Sequence, residues 1–280
     1  MNKLAAVTGA ATVVALALIA VGAATARPEA TSIKVSTAMN AAQEVPAPSG
    51  NVAGARGTFT ATVTKSGSGA SVRWTMRFNG LTGPAAAAHI HTGRTGQAGG
   101  VAVALCGPCS SPASGTATAN AATLAAIQNG GAYVNVHTAT NGAGEIRGQL
   151  GVTAAIRTTL NSRQEVPRPS GNVARATGTF TGTVTKSGRN ARLNWRLTFA
   201  RLTGPAAAAH IHIGARGRAG GVAVALCGPC RSGVRRQNVT LRPNVVAALE
   251  AGRAYVNVHT GRNPGGEIRG QIAAVPLSIP

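Results

Sequence analysis

An all-β protein made of two similar domains is what this sequence predicts, and three observations carry that reading. Apolar and polar residues alternate at period two, glycine and threonine are abundant while charge is sparse, and most of the chain is present twice. Glycine supplies 37 of the 280 residues and charged residues only 12%, a composition that suits short strands and turns better than long helices. The length is enough for two domains, each burying a core of its own.

Residues 40–109, beginning NAAQEVPAPSGNVAG, match residues 161–230, beginning NSRQEVPRPSGNVAR, at an offset of 121 with 50 of 70 identical. One residue is then inserted, and AYVNVHT recurs at 132–138 and 254–260. Trp74 pairs with Trp195, Tyr133 with Tyr255, Phe59 and Phe78 with Phe180 and Phe199, and every histidine and cysteine has its counterpart. This is a tandem duplication. It divides the chain into an N-terminal segment, 1–26, a first domain, 27–150, and a second, 151–280. Between Gln149 and Val152 there is almost no linker, so the two units are expected to abut.

Taken in order, the chain opens on Lys3, an apolar run from Leu4 to Val21 and the small-x-small site Ala24-Thr25-Ala26. This is the pattern of a signal peptide, with the mature chain starting near Arg27; an uncleaved anchor is the alternative. No cysteine follows the run, so a lipoprotein signal is not expected. The expected location is secreted or in the extracytoplasmic envelope, with membrane contact only through the uncleaved segment, and such a compartment permits disulfides. FTATVT from Phe59 alternates as a strand. In SVRWTMRF the residues Val72, Trp74, Met76 and Phe78 form one apolar face, and Leu193, Trp195, Leu197 and Phe199 hold the same phase in the second copy. VAVAL from Val101 is a short apolar strand. AATLAAIQ, Ala121 to Gln128, reads as a short helix, and so does Pro243 to Glu250, with proline in the first turn. Many short antiparallel strands of this kind imply a β-sandwich or a small barrel.

The net charge is +21, and it is uneven. Residues 27–150 carry eight Lys and Arg against three Glu, whereas 151–280 carry eighteen against three. Two readings stand: a surface for an anionic cell-envelope polymer or other anionic partner on the basic second domain, or a bias of codon composition towards Arg, Ala and Gly. No aromatic-rich strand or recognition helix accompanies the arginines, so specific nucleic-acid binding is not expected.

AQEVP, GLTGPAAAAHIHTG, AYVNVHT and GEIRGQL, in that order and twice over, resemble the CHRD domain, named from chordin and common in exported bacterial proteins. The resemblance implies an immunoglobulin-like or superoxide-dismutase-like β-sandwich. It implies no defined biochemical role.

Four of the six histidines fall in two His-x-His pairs. Residues i and i+2 of a strand share a face, so His89 and His91 stand together while Ile90 faces the other way. The same alternation puts Tyr133, Asn135 and His137 on one face. If these strands are neighbours, three imidazoles converge in each copy: His89, His91 and His137, then His210, His212 and His259. Three neutral imidazoles suit copper(II), with zinc second. Methionine ligation is not supported, because Met39 and Met76 become Leu160 and Leu197. The alternative is that the histidines are surface or loop-holding groups. Glu145 and Arg147 in GEIRGQ, with Glu267 and Arg269, read first as a cross-strand ion pair on an exposed edge. The second reading makes Arg147 and Arg269 guides for an anion approaching a metal.

Cys106-Gly107-Pro108-Cys109 and Cys227-Gly228-Pro229-Cys230 share the spelling of the thioredoxin site but not its context, since each follows a short strand and does not lead into a helix. A disulfide within each motif is expected ahead of inter-repeat pairing or metal binding, and redox catalysis comes last. Three functions follow: a transition-metal binding module, a copper-dependent superoxide dismutase, and a structural or adhesive envelope protein whose histidines are incidental.

Overall fold

The computed structural model describes residues 31–279. The expected signal segment and its cleavage site lie outside the described residues.

The first domain runs β1 (Ser32–Asn40), β2 (Arg56–Ser66), β3 (Gly69–Asn79), β4 (Ala85–Thr92), β5 (Val101–Cys106), β6 (Ala113–Ala119), α1 (Ala121–Gln128), β7 (Ala132–Thr138) and β8 (Ile146–Gln149). The second repeats it as β9 (Gly151–Asn161), β10 (Thr177–Ser187), β11 (Asn190–Ala200), β12 (Ala206–Ile213), β13 (Val222–Cys227), β14 (Val234–Leu241), α2 (Pro243–Glu250), β15 (Ala254–Thr260) and β16 (Ile268–Ile272). All pairings are antiparallel. In the first domain β6-β3-β2-β1 forms one sheet and β8-β7-β4-β5 the other, with a single β1–β8 pair, Asn40 with Arg147, at the corner. The second domain repeats this as β14-β11-β10-β9 and β16-β15-β12-β13. Each domain is thus an all-β sandwich with one short helix.

The alternation sets the core. Val72, Trp74 and Met76 point inward from β3, Phe59 stacks on Trp74 with ring centroids 6.4 Å apart, and Ile90, Val134, Val136 and Ile146 close the core from the opposing sheet. Burying side chains of this size is worth roughly 1.5–3 kcal/mol each. Both expected helices form with the expected limits. The Asn120 side chain caps α1 by accepting from the Thr123 backbone N–H at 2.8 Å, and Pro243 opens α2, where its missing N–H costs nothing.

Leu150 alone separates β8 from β9, and β9 pairs with β1, Val35 opposite Val152, so the first sheets of the two domains merge into one of eight strands. Because β1 and β9 are equivalent strands running antiparallel, a local two-fold axis relates them. The C-terminal residues Val275, Leu277 and Ile279 are buried. The Val275 N–H donates to the Leu249 carbonyl, and the Ile279 N–H to Gln128 Oε1 at the end of α1. The last segment therefore ties both helices together.

Candidate metal centre

β4 and β7 are neighbours. Their register sets His89 opposite Asn135, His91 opposite Tyr133 and Ala87 opposite His137, so His137 lies diagonally beside His89 on the same face, within reach of its side chain. Ile90 faces the other way, into the core, and is fully buried. The β4–β5 register shifts twice, beside His89 and beside His91, and such bulges re-aim the neighbouring side chains.

Every residue of β7 is buried, because the face away from the core is covered too. Loops on either side of β7 supply carbonyls that orient the rings. His91 Nδ1 lies 2.9 Å from the Gly99 carbonyl and His137 Nδ1 3.0 Å from that of Gly142. A carbonyl only accepts, so both Nδ1 atoms carry hydrogen and both lone pairs sit on Nε2. His137 Nε2 is 3.1 Å from His89 Nδ1, while His91 Nε2 is buried with no partner. In the second domain His210 Nδ1 is 3.1 Å from His259 Nε2, and the Gly220 and Pro264 carbonyls hold His212 and His259 at 2.9 Å each. His212 Nε2 is again unpartnered. In each domain one nitrogen from each of the three rings lies within 4.8 Å of the others. Gly99 is required here: a Cβ would run into the Thr92 carbonyl, and Gly220 meets Ile213 in the same way.

Burial holds His89, His137, His210, His212 and His259 below the usual histidine range, with neighbouring imidazoles adding to the effect except at His259. Burial thus favours the neutral form of these five rings.

Beside them stands a column that the sequence did not disclose. Tyr133 stacks on His91, centroids 5.1 Å apart and nearly parallel, and the Arg147 guanidinium covers the other face of Tyr133 at 3.5 Å. Arg147 also donates to the Arg94 carbonyl at 2.8 Å. Glu44, buried near Arg147, is pushed up to about 7 by burial, against the lowering effect of Arg147. The second domain repeats this with Tyr255, Arg269 and Glu165, the last also raised to about 7. Glu44 and Glu165 lie in AQEVP and RQEVP; as two of the few carboxylates, one in each copy at equivalent positions, they were the available clue.

Two expectations are corrected. Glu145 and Arg147 do not pair on an exposed edge. Glu145 is fully buried and accepts from the Thr82 N–H and hydroxyl at 2.6 Å, the Thr138 hydroxyl at 2.7 Å and the Asn141 amide at 3.0 Å. These donors stabilise its charged form and lower its pKa although burial opposes them. Arg147 and Arg269 are each 1% exposed, so neither guanidinium meets an anion arriving from solvent, and the guide role has no geometric basis.

The cysteines close two disulfides, Cys106–Cys109 and Cys227–Cys230, and no free thiol remains. Inter-repeat pairing and thiolate metal ligation are therefore ruled out. Each motif turns back on the start of the histidine strand, with the Cys109 N–H donating to Ala85 and Cys230 to Ala206 at 3.0 Å. No helix follows either motif.

Taken together, these features define a tandem β-sandwich protein with one three-histidine centre on the covered outer face of each second sheet. The CHRD domain family model matches residues 35–150 and 156–272, and the chain belongs to the CHRD family. No curated protein and no solved structure matches it significantly.

Proposed function

We propose that the protein binds one transition-metal ion per domain, copper ahead of zinc, without turnover: His89, His91 and His137 hold the first and His210, His212 and His259 the second. The observation that carries this reading is the orientation of the lone pairs. Carbonyls fix the hydrogens of His91 and His137 on Nδ1, which leaves two Nε2 lone pairs converging on His89 Nδ1, whose hydrogen is donated to His137 Nε2 and would move to His89 Nε2 on metal binding; carbonyls in this outer-sphere position typically orient imidazole ligands. Neutral imidazoles suit copper(II) and then zinc by ligand type and by the order of divalent-ion affinities. A bound copper ion would supply redox cycling, but the buried Arg147 and Arg269 give an anionic substrate no guidance, and this favours a binding module over a dismutase. An extracytoplasmic location is part of the proposal, supported by the N-terminal pattern and the disulfides.

Copper retained through dialysis near neutral pH should approach two ions per chain and fall as the pH drops below about 6, where protons compete for imidazole. His137→Ala should leave one ion, and His137→Ala with His259→Ala none. Retention of both ions by the double variant, or of none by the parent, overturns the proposal.

A further inference from the structure

The arginines of the second domain are ordered on its outer sheet face. Arg157 on β9 is opposite Thr181 on β10, Thr181 is opposite Arg196 on β11, and Arg196 is opposite Arg235 on β14. This is one row across four strands. The burial alternation sends Ile156, Trp195 and Leu197 into the core and leaves all three arginines exposed. With strands about 4.8 Å apart, the Arg196 and Arg235 backbones are about 5 Å apart and those of Arg157 and Arg196 about 10 Å. Arg192, four residues before Arg196 on β11 and likewise exposed, shares the face. It also lines an open trough of about 710 Å³ together with Ser36, Thr60, Thr185, Asn194 and Asn238, which carries the face across to the first domain.

Among the described residues no carboxylate balances this row. Aspartate is absent from the chain. Glu44, Glu145, Glu165 and Glu267 are buried, and Glu250 pairs with Lys186 at 3.1 Å. At the equivalent positions the first domain carries Ser36, Thr60, Thr75 and Ser114, paired in the same register. The first domain places its outer-face cations differently, with Lys34 opposite Thr62 and Thr62 opposite Arg73, so a row of three arginines is found only in the second domain.

We propose that this face, Arg157, Arg196 and Arg235 with Arg192 beside them, binds a linear polymer that carries a phosphate in each repeat. The charge is complementary, and the row reaches across the sheet as an extended chain would. Arginine supplies a planar fork that pairs bidentately with phosphate oxygens, and Lys186 is the only lysine of this domain. None of the described Phe, Trp or Tyr rings is exposed, so the face offers no platform for stacking sugars or bases. Recognition therefore falls on the phosphates.

The test uses full-length protein, metal-free and in chelator, with inorganic polyphosphate of defined length as probe. R157S, R196T and R235S together install the residues that the first domain tolerates at these places, and should weaken binding at low salt at least tenfold. The logarithmic salt slope should fall in magnitude by about two. A control of equal charge, R168A, R216T and R231S, takes first-domain residues at loop positions off the face and should cost less than threefold. The reverse graft, S36R with T75R and S114R, should add polymer-binding capacity, which keeps the test decisive if the first variant folds poorly. Equal losses in row and control variants, no binding by the parent, or equal binding of a linear uronic-acid polymer would each overturn the proposal.

Discussion

The two domains share their histidine side and differ on their outer face. Residues 81–91 and 202–212 are identical, as are 98–109 and 219–230, and these stretches contain β4 except its last residue, its two histidines, Gly99, β5 and the disulfide turn. Between β3 and β11, by contrast, eight of eleven positions differ. Those that point inward stay apolar, Val72 to Leu193 and Met76 to Leu197, while those that point outward exchange charge in both directions, Ser71 to Arg192 and Thr75 to Arg196 but Arg73 to Asn194 and Arg77 to Thr198. The difference separates two demands on one fold. A polar centre with fixed lone pairs has one solution for its rings, carbonyls and glycine, whereas a sandwich core requires only apolar volume and leaves its solvent face free to vary.

If the cores are equivalent, equal cuts should cost equally. Phe59→Ala and Phe180→Ala each remove a fully buried ring stacked on a tryptophan, and each should destabilise metal-free protein by about 3–5 kcal/mol in denaturant unfolding. A large cost in one domain only would break the equivalence. A smaller effect sharpens the account of the shared side. Gly99→Ala drives a Cβ into the Thr92 carbonyl and displaces the carbonyl that orients His91, so copper affinity at the first centre should fall by about tenfold or more while the second is unchanged. Gly220→Ala should do the reverse, and an unchanged affinity at both sites would remove the carbonyl from the account.

The smallest effect concerns pH. Glu44 and Glu165 titrate at about 7 when folded, above the unfolded value, so between about pH 7 and 4.5 the folded chain holds protons that the unfolded chain has released, and their contribution to stability grows as pH falls. The lowered histidines act in the opposite sense: below about 6.5 the unfolded chain binds protons that the folded chain refuses, and stability is lost. Glu44→Gln with Glu165→Gln removes the first contribution and leaves the second. The melting temperature of this variant should drop more steeply from pH 7 to pH 5 than that of the parent, and an unchanged slope would mean that these carboxyls are not raised.

Period two made the strands through Phe59, Trp74 and Val101 legible, and the proline before Asn244 marked the second helix. The histidine triad was legible because i, i+2 spacing and neighbouring strands suffice to bring three rings together. Tertiary burial was not. Whether Arg147 lies on an edge or under loops depends on the segments around Arg94 and Glu44, which approach it only in three dimensions, and so the edge ion pair was the wrong reading. The β1–β9 junction and the seating of Val275, Leu277 and Ile279 likewise depend on which copy packs against which, a relation that a repeat does not encode in its own pattern.

The central claim is that each domain holds its metal through His89 Nδ1, His91 Nε2 and His137 Nε2, or their counterparts His210, His212 and His259. Anomalous difference maps from copper- and zinc-soaked crystals test it most directly. Two peaks per chain are expected, each about 2.0–2.1 Å from three imidazole nitrogens. Peaks away from these rings, or none at saturating metal, would contradict it.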